Sequence, residues 1–265
     1  MTFLRVLLAV LLLDATAASA SDKTDLYYIP AESGWGMTVA NQADTIFVTM
    51  YVYDNARQPT WFVGTGLLQS TDSQGVNTYG GDWYSVTGPY YGAATFDPST
   101  VNATKVGTYT YREDSVTTAQ ITYSVNGTSV TKNVQRQTLA ANTKVNGTFG
   151  GAYFSTMFAC DDPSLNGNPN YFLNLLVAGA PGPTRVTLIN QSTGVTCNAT
   201  GLYSQSGRMG SVTGTMSCSN GFAGRVLLFE IEAGTNAISA RFNVNYNNGC
   251  AETGHFAAAR ASASS

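Results

Sequence analysis

Charge is scarce in this sequence. Asp, Glu, Lys and Arg make up 11% of its 265 residues, where an ordinary soluble domain carries about 25%. The 13 basic residues are scattered, with no cluster able to neutralise a run of phosphates, which excludes a nucleic-acid binder. A disordered acidic or basic tail is excluded too, because 12 Phe, 15 Tyr and 3 Trp are far more aromatic surface than such chains carry. Histidine is nearly missing: the single His255 falls short of the two or three that a catalytic zinc draws on. No Gly-x-Ser-x-Gly supplies a nucleophile turn for a Ser-His-Asp hydrolase. No Cys-x-x-Cys supplies a redox or zinc motif, and no cofactor or metal is expected. Nor does any useful stretch repeat apolar residues at helical spacing.

What is present begins with an address. Residues 1–20 carry one base at Arg5, an apolar run from Val6 to Leu13 and small residues leading to Ala18-Ser19-Ala20. They read as a secretory signal peptide cleaved after Ala20. The apolar run is shorter than the roughly 20 residues of a membrane span, and Asp14 follows it. The expected location is the periplasm or the extracellular space, for a protein that is not integral to the membrane.

The remaining chain changes composition partway. All three Trp (Trp35, Trp61, Trp83) lie before Asn146, and all four Cys lie after it. This predicts two modules, an aromatic-rich one over 21–144 and a disulfide-containing one over 145–260, with a disordered tail at 261–265. A single large sandwich or barrel is the alternative.

Both parts alternate with period two. In Thr45-Ile46-Phe47-Val48-Thr49-Met50-Tyr51-Val52-Tyr53, Ile46, Val48, Met50 and Val52 share one face, the mark of a strand. Neighbouring stretches at 35–40 and 60–68 make a meander with it. Further strands are expected near 79–87, 105–112, 116–125 and 129–138, the last two meeting at Asn126-Gly127, a strong hairpin signal. The second part continues with strands near 147–156, 171–178, 184–190, 195–204, 209–218, 223–232, 236–246 and 252–259. Glycines within these strands, such as Gly64, Gly66, Gly151 and Gly214, suit sharply curved sheets. The fold class is therefore all-β: two consecutive antiparallel β-barrel-like modules, lipocalin- or avidin-like, with sandwiches as the alternative.

The four cysteines of an exported chain imply two disulfides. A hairpin centred on Ser206-Gly207-Arg208 puts Cys197 and Cys218 nearly opposite each other. Cys160 follows the module's first strand and Cys250 precedes its last, and in a closed barrel those strands are neighbours. The expected pairs are Cys160–Cys250 and Cys197–Cys218.

Groups able to carry chemistry are few. Glu230 and Glu232 share a face in simple alternation, with Leu227, Phe229 and Ile231 on the other. Two carboxyls about 6–7 Å apart along a strand would suit glycoside hydrolysis, but a strand with one solvated face explains them better. Asp161-Asp162 lie in a turn-rich loop without calcium-loop spacing. No catalytic residue is assigned. The best candidates for binding a small molecule or glycan are Glu32, Trp35, Trp61, Trp83, Tyr84, Tyr90 and Tyr91, because flat rings with polar tips suit such ligands. Alternation of Trp61 with Val63 and Thr65 points rather to packing for that residue.

Pro30-Ala31-Glu32-Ser33-Gly34-Trp35-Gly36-Met37, with Asn41-Gln42, Tyr53-Asp54 and Pro59-Thr60-Trp61-Phe62-Val63-Gly64, closely resembles a module of exported proteins of Gram-negative bacteria that opens on Glu-Ser-Gly-Trp-Gly. The likeness spans about residues 27–140. It implies an exported β-module and no established activity, so no catalytic residue is carried over. The second module is similar only in general to avidin or lipocalin barrels. Ala152-Tyr153-Phe154 stands where a lipocalin Gly-x-Trp is expected. The leading expectation is an exported, non-enzymatic binding or interaction protein. A secreted glycosidase-type hydrolase and an outer-membrane-associated β-barrel are the alternatives.

Overall fold

A computed structural model of the chain describes residues 22–73 and 75–261. The segment read as a signal peptide and residues 262–265 of the tail lie outside the described residues. Among the described residues, sixteen antiparallel strands close into two eight-stranded barrels, each a meander in which every strand pairs with its neighbours in sequence.

The first barrel contains β1 (Asp25–Tyr28), β2 (Gly36–Gln42), β3 (Thr45–Tyr53), β4 (Pro59–Thr71), β5 (Asn77–Thr87), β6 (Asn102–Glu113), β7 (Thr118–Val125) and β8 (Thr128–Arg136). The second contains β9 (Gly147–Phe158), β10 (Asn170–Ala178), β11 (Pro183–Asn190), β12 (Thr196–Ser206), β13 (Met209–Cys218), β14 (Ala223–Ala233), β15 (Ala237–Tyr246) and β16 (Ala251–Arg260). Pairing of β1 with β8 and of β16 with β9 closes the two rings. Strand β1 has only four residues, too short for an alternation signal, and was not expected from the sequence. At Asn126-Gly127 both φ values are positive, 48° and 83°, as a two-residue hairpin turn requires.

The first barrel is filled by rings. On β3, Ile46, Val48 and Met50 point inward and are fully buried, while Phe47, Thr49 and Tyr51 point out. Trp83, Tyr79, Tyr109 and Tyr111 occupy the lumen, with Trp83 stacked on Tyr109 at 4.3 Å between ring centroids. Strand β4 makes room for them with glycine. A Cβ at Gly66 would lie 2.7 Å from the Tyr109 phenol oxygen, and that phenol donates to the Gly64 carbonyl at 3.2 Å.

In the second barrel the half nearer the first is packed with Phe149, Leu175, Val177, Ile231 and Ile238. Strand β14 departs from simple alternation. The register shifts between Phe229 and Glu232, and Glu230 adopts φ 50°, a bulge that inserts one residue. Consequently Leu228 and Ile231 both point into the core while Leu227 is partly exposed, so the faces expected from sequence are corrected. Glu230 and Glu232 serve different partners: Arg241 lies 3.8 Å from Glu230, and Glu232 pairs with Arg208.

The turn between β12 and β13 joins the barrels. Its Arg208 donates from Nη2 to Asp22 at 2.6 Å, from Nε to the Thr24 carbonyl at 3.0 Å and from its backbone N–H to Asp25 at 3.2 Å. Gly207 donates to Thr138 at 2.9 Å, and Gln205 accepts from the Asn142 N–H at 2.6 Å. Residue 207 must be glycine for this approach. Its φ is +60°, and a Cβ would fall 2.2 Å from an Asp25 carboxylate oxygen.

Candidate functional site

Both disulfides lie at the end of the second barrel remote from the first. Cys197 and Cys218 are direct partners across β12 and β13. Cys160, just past β9, bonds Cys250, just before β16. Beneath this stapled rim the lumen is not filled, and a cavity of about 270 Å³ remains. Its rim carries the polar residues Asn190, Thr193 and Asn220; the walls are mainly apolar and aromatic, including Tyr153, Tyr171, Phe222, Phe242 and Phe256.

The sequence builds this wall strand by strand. On β9, Tyr153 and Ser155 alternate inward and are buried. On β16, Glu252, Phe256 and Ala258 point inward and are buried, while His255 points out and stacks on Phe154. Tyr153 lies between two rings, stacked on Tyr171 at 4.5 Å and on Phe242 at 4.8 Å. Phe222 meets Tyr246 edge to face at 5.1 Å.

Glu252 is the only charged residue among the described residues lining the cavity, and it is 4% exposed. A buried carboxyl must be hydrogen-bonded, and here three hydroxyls do it. Tyr153 and Ser155 donate to Oε1 at 2.9 and 2.6 Å, and Tyr246 donates to Oε2 at 2.6 Å. Burial, and next the Glu252 charge, push the Tyr153 and Tyr246 phenols upward. Burial also raises Tyr171. These phenols are therefore neutral donors at any physiological pH. The arrangement can hold a small molecule out of water and present one anchored carboxyl to it.

The residues expected to bind ligand in the first barrel do not converge on one cleft. Glu32 and Trp35 meet at the end remote from the second barrel, where the Trp35 indole N–H donates to Glu32 at 2.9 Å and Lys132 donates to the same carboxylate at 2.7 Å. Trp83 is fully buried in the lumen. Trp61 is 44% exposed, directly opposite Tyr51 on the outer wall; the expectation that it packs inward is corrected, because Phe62 takes that role against Trp83. Tyr84 is paired with Val63, and Tyr90 and Tyr91 stand exposed in the following loop. Sequence reasoning missed Glu252 as a site residue. The signal was there: an acid sharing its strand face with Phe256 and Ala258, opposite the apolar Val244 and Met157.

No protein-family model matches this chain, and no curated protein matches its sequence. Among solved structures, the isotype 1 transferrin binding protein B from serogroup B Neisseria meningitidis aligns over 86% of this chain and 66% of its own length, at 9% identity and a TM-score of 0.24. A likeness at that level carries no argument about what either barrel does.

Proposed function

We propose that the protein is an exported, non-enzymatic binding protein whose second barrel takes a small, largely apolar molecule into the cavity beneath its disulfide-stapled rim. The unfilled lumen carries this reading. Protein interiors are close-packed, with few voids larger than a water, whereas this one leaves about 270 Å³, room for about nine waters at roughly 30 Å³ each. A recessed, mainly apolar space that opens at a polar rim and holds one convergent polar cluster is the usual form of a small-molecule site. The two disulfides support an oxidising, extracytoplasmic location. Outward positions such as Asn198, Thr200, Asn243, Asn245 and Thr253 support a barrel standing in water, since a membrane barrel turns apolar residues outward. The spread of the first barrel's aromatic candidates offers no comparable enclosure for a glycan.

The test is calorimetric titration of the secreted protein with small aromatic molecules, namely indole, 2-phenylethanol and 2-phenylethylamine. At least one is expected to bind. Val226→Phe, which puts a ring into the lumen, is expected to weaken that binding by about tenfold or more, about 1.4 kcal/mol, with a thermal unfolding midpoint close to the parent's. No binding by any of the three at millimolar concentration overturns the reading.

A further inference from the structure

Resting on that reading, we infer that the cavity selects a cationic ligand: a primary organic amine with a compact aromatic or aliphatic body, its ammonium group held by Glu252. The carboxylate has about four acceptor positions. Two on Oε1 are taken by Tyr153 and Ser155, and one on Oε2 by Tyr246, which leaves a position on Oε2 for one more donor.

Nothing else lining the cavity answers the charge. Among the described lining residues there is no Lys, Arg or His, and no ion pair involving Glu252 is found among the described residues. The other buried acid, Glu113 in the first barrel, is met by Lys23 at 2.7 Å. A buried carboxylate with hydroxyl donors but no cation is stabilised further by a positively charged guest, and a charge-assisted hydrogen bond is about twice as strong as a neutral one.

The walls favour the same guest. Aromatic side chains, among them Tyr171, Phe222 and Phe242, line the space, and aromatic rings attract ammonium groups to their faces. An anionic guest meets the opposite conditions: like charge at Glu252 and no cationic side chain among the described lining residues, only neutral donors such as Tyr171, Asn190, Thr193 and Asn220. The volume holds roughly ten non-hydrogen atoms within the recess, taking each as about the 30 Å³ of a water.

Three probes of similar size separate charge from shape: 2-phenylethylamine, 2-phenylethanol and phenylacetate, titrated calorimetrically into the parent protein and Glu252→Gln at pH 7. In the parent the amine is expected to bind at least about tenfold more tightly than the alcohol, and the carboxylate least of all. In Glu252→Gln, which keeps the shape and an acceptor oxygen, the preference for the amine over the alcohol is expected to fall to about twofold or less. The parent comparison needs no variant, so it stands even where Glu252→Gln folds poorly. An alcohol that binds as well as the amine in the parent overturns the amine assignment and leaves the small-molecule reading intact. A tenfold amine preference that survives in Glu252→Gln overturns the role of Glu252. Failure of all three probes and of indole to bind overturns the binding reading itself, whereas binding of indole alone overturns only the amine assignment.

Discussion

Glu32 shows how a single rim residue is held in place. It ends the short 3-10 turn Pro30–Glu32, and its carboxylate accepts from Lys132 and from the Trp35 indole, while the Lys132 ammonium lies 5.7 Å from the Trp35 ring centroid. The hydrogen bond from Lys132, and next that from Trp35, hold the carboxyl below its ordinary value of 4.5. A depressed folded value makes the clamp's contribution complete above about pH 4.5 and lost as the pH falls through the lower folded value. The Trp35 indole N–H resonance is expected to titrate with a midpoint below 4.5 and to stay flat over that range in Glu32→Gln, as read by NMR. The sequence puts the three tryptophans in three expected strands and sets Trp61 apart as a packing residue. They ended at the rim, on the outer wall and in the lumen. Parity along β5 placed Trp83 inward with Tyr79, whereas Trp61 needed knowledge of which face of β4 met the core.

At the scale of elements, alternation was a good guide until a strand bent. β3 runs as its pattern demands, but β14 takes up the Glu230 bulge and reverses its faces beyond it, something period two does not announce. The disulfides were legible because their logic is topological. One joins hairpin partners and the other joins the strands that must meet when a barrel closes. Their sequence separations are 21 and 90, and the loop-closure entropy removed from the unfolded chain is worth about 3 and about 4.5 kcal/mol at such lengths. Cys197→Ser with Cys218→Ser is therefore expected to destabilise the second barrel by about 3 kcal/mol, and Cys160→Ser with Cys250→Ser by about 4.5. Urea unfolding checks this, with far-UV circular dichroism following both barrels. Tryptophan emission follows only the first, which holds every Trp, and is expected to shift to lower urea together with the dichroism in both variants, because the intact turn between β12 and β13 makes the barrels unfold as one.

The whole molecule sets the two barrels end to end. The β12–β13 turn is seated against β1 and Arg136, and the disulfide-stapled rim is left at the far end. Arg136 is fully buried and binds Asp25 at 3.0 Å and the Asp22 carbonyl at 2.6 Å, so the same short segment receives Arg136 from one barrel and Arg208 from the other. Removing the second of these arginines tests whether the barrels unfold together. Arg208→Ala is expected to cost about 2 kcal/mol, the scale of hydrogen bonds to partly exposed charges. It is also expected to separate the tryptophan transition from the dichroism transition, where the parent protein is expected to show one. Coincident transitions in Arg208→Ala count against mechanical coupling through this turn.

The sequence by itself determined the β class, the division into two modules, most of the strands and the cysteine partners. Each of these depends on local alternation, on composition along the chain, or on how a hairpin and a closed ring must pair. Only the tertiary structure decided where space was left over and what faces it. Tyr153 and Ser155 lie 99 and 97 residues from Glu252, and they meet it because β16 closes against β9. Periodicity assigns a side chain to a face, but the volume enclosed depends on how rings from eight strands pack across the lumen. The first barrel's rings fill that space, and the second barrel's leave a cavity around a buried acid.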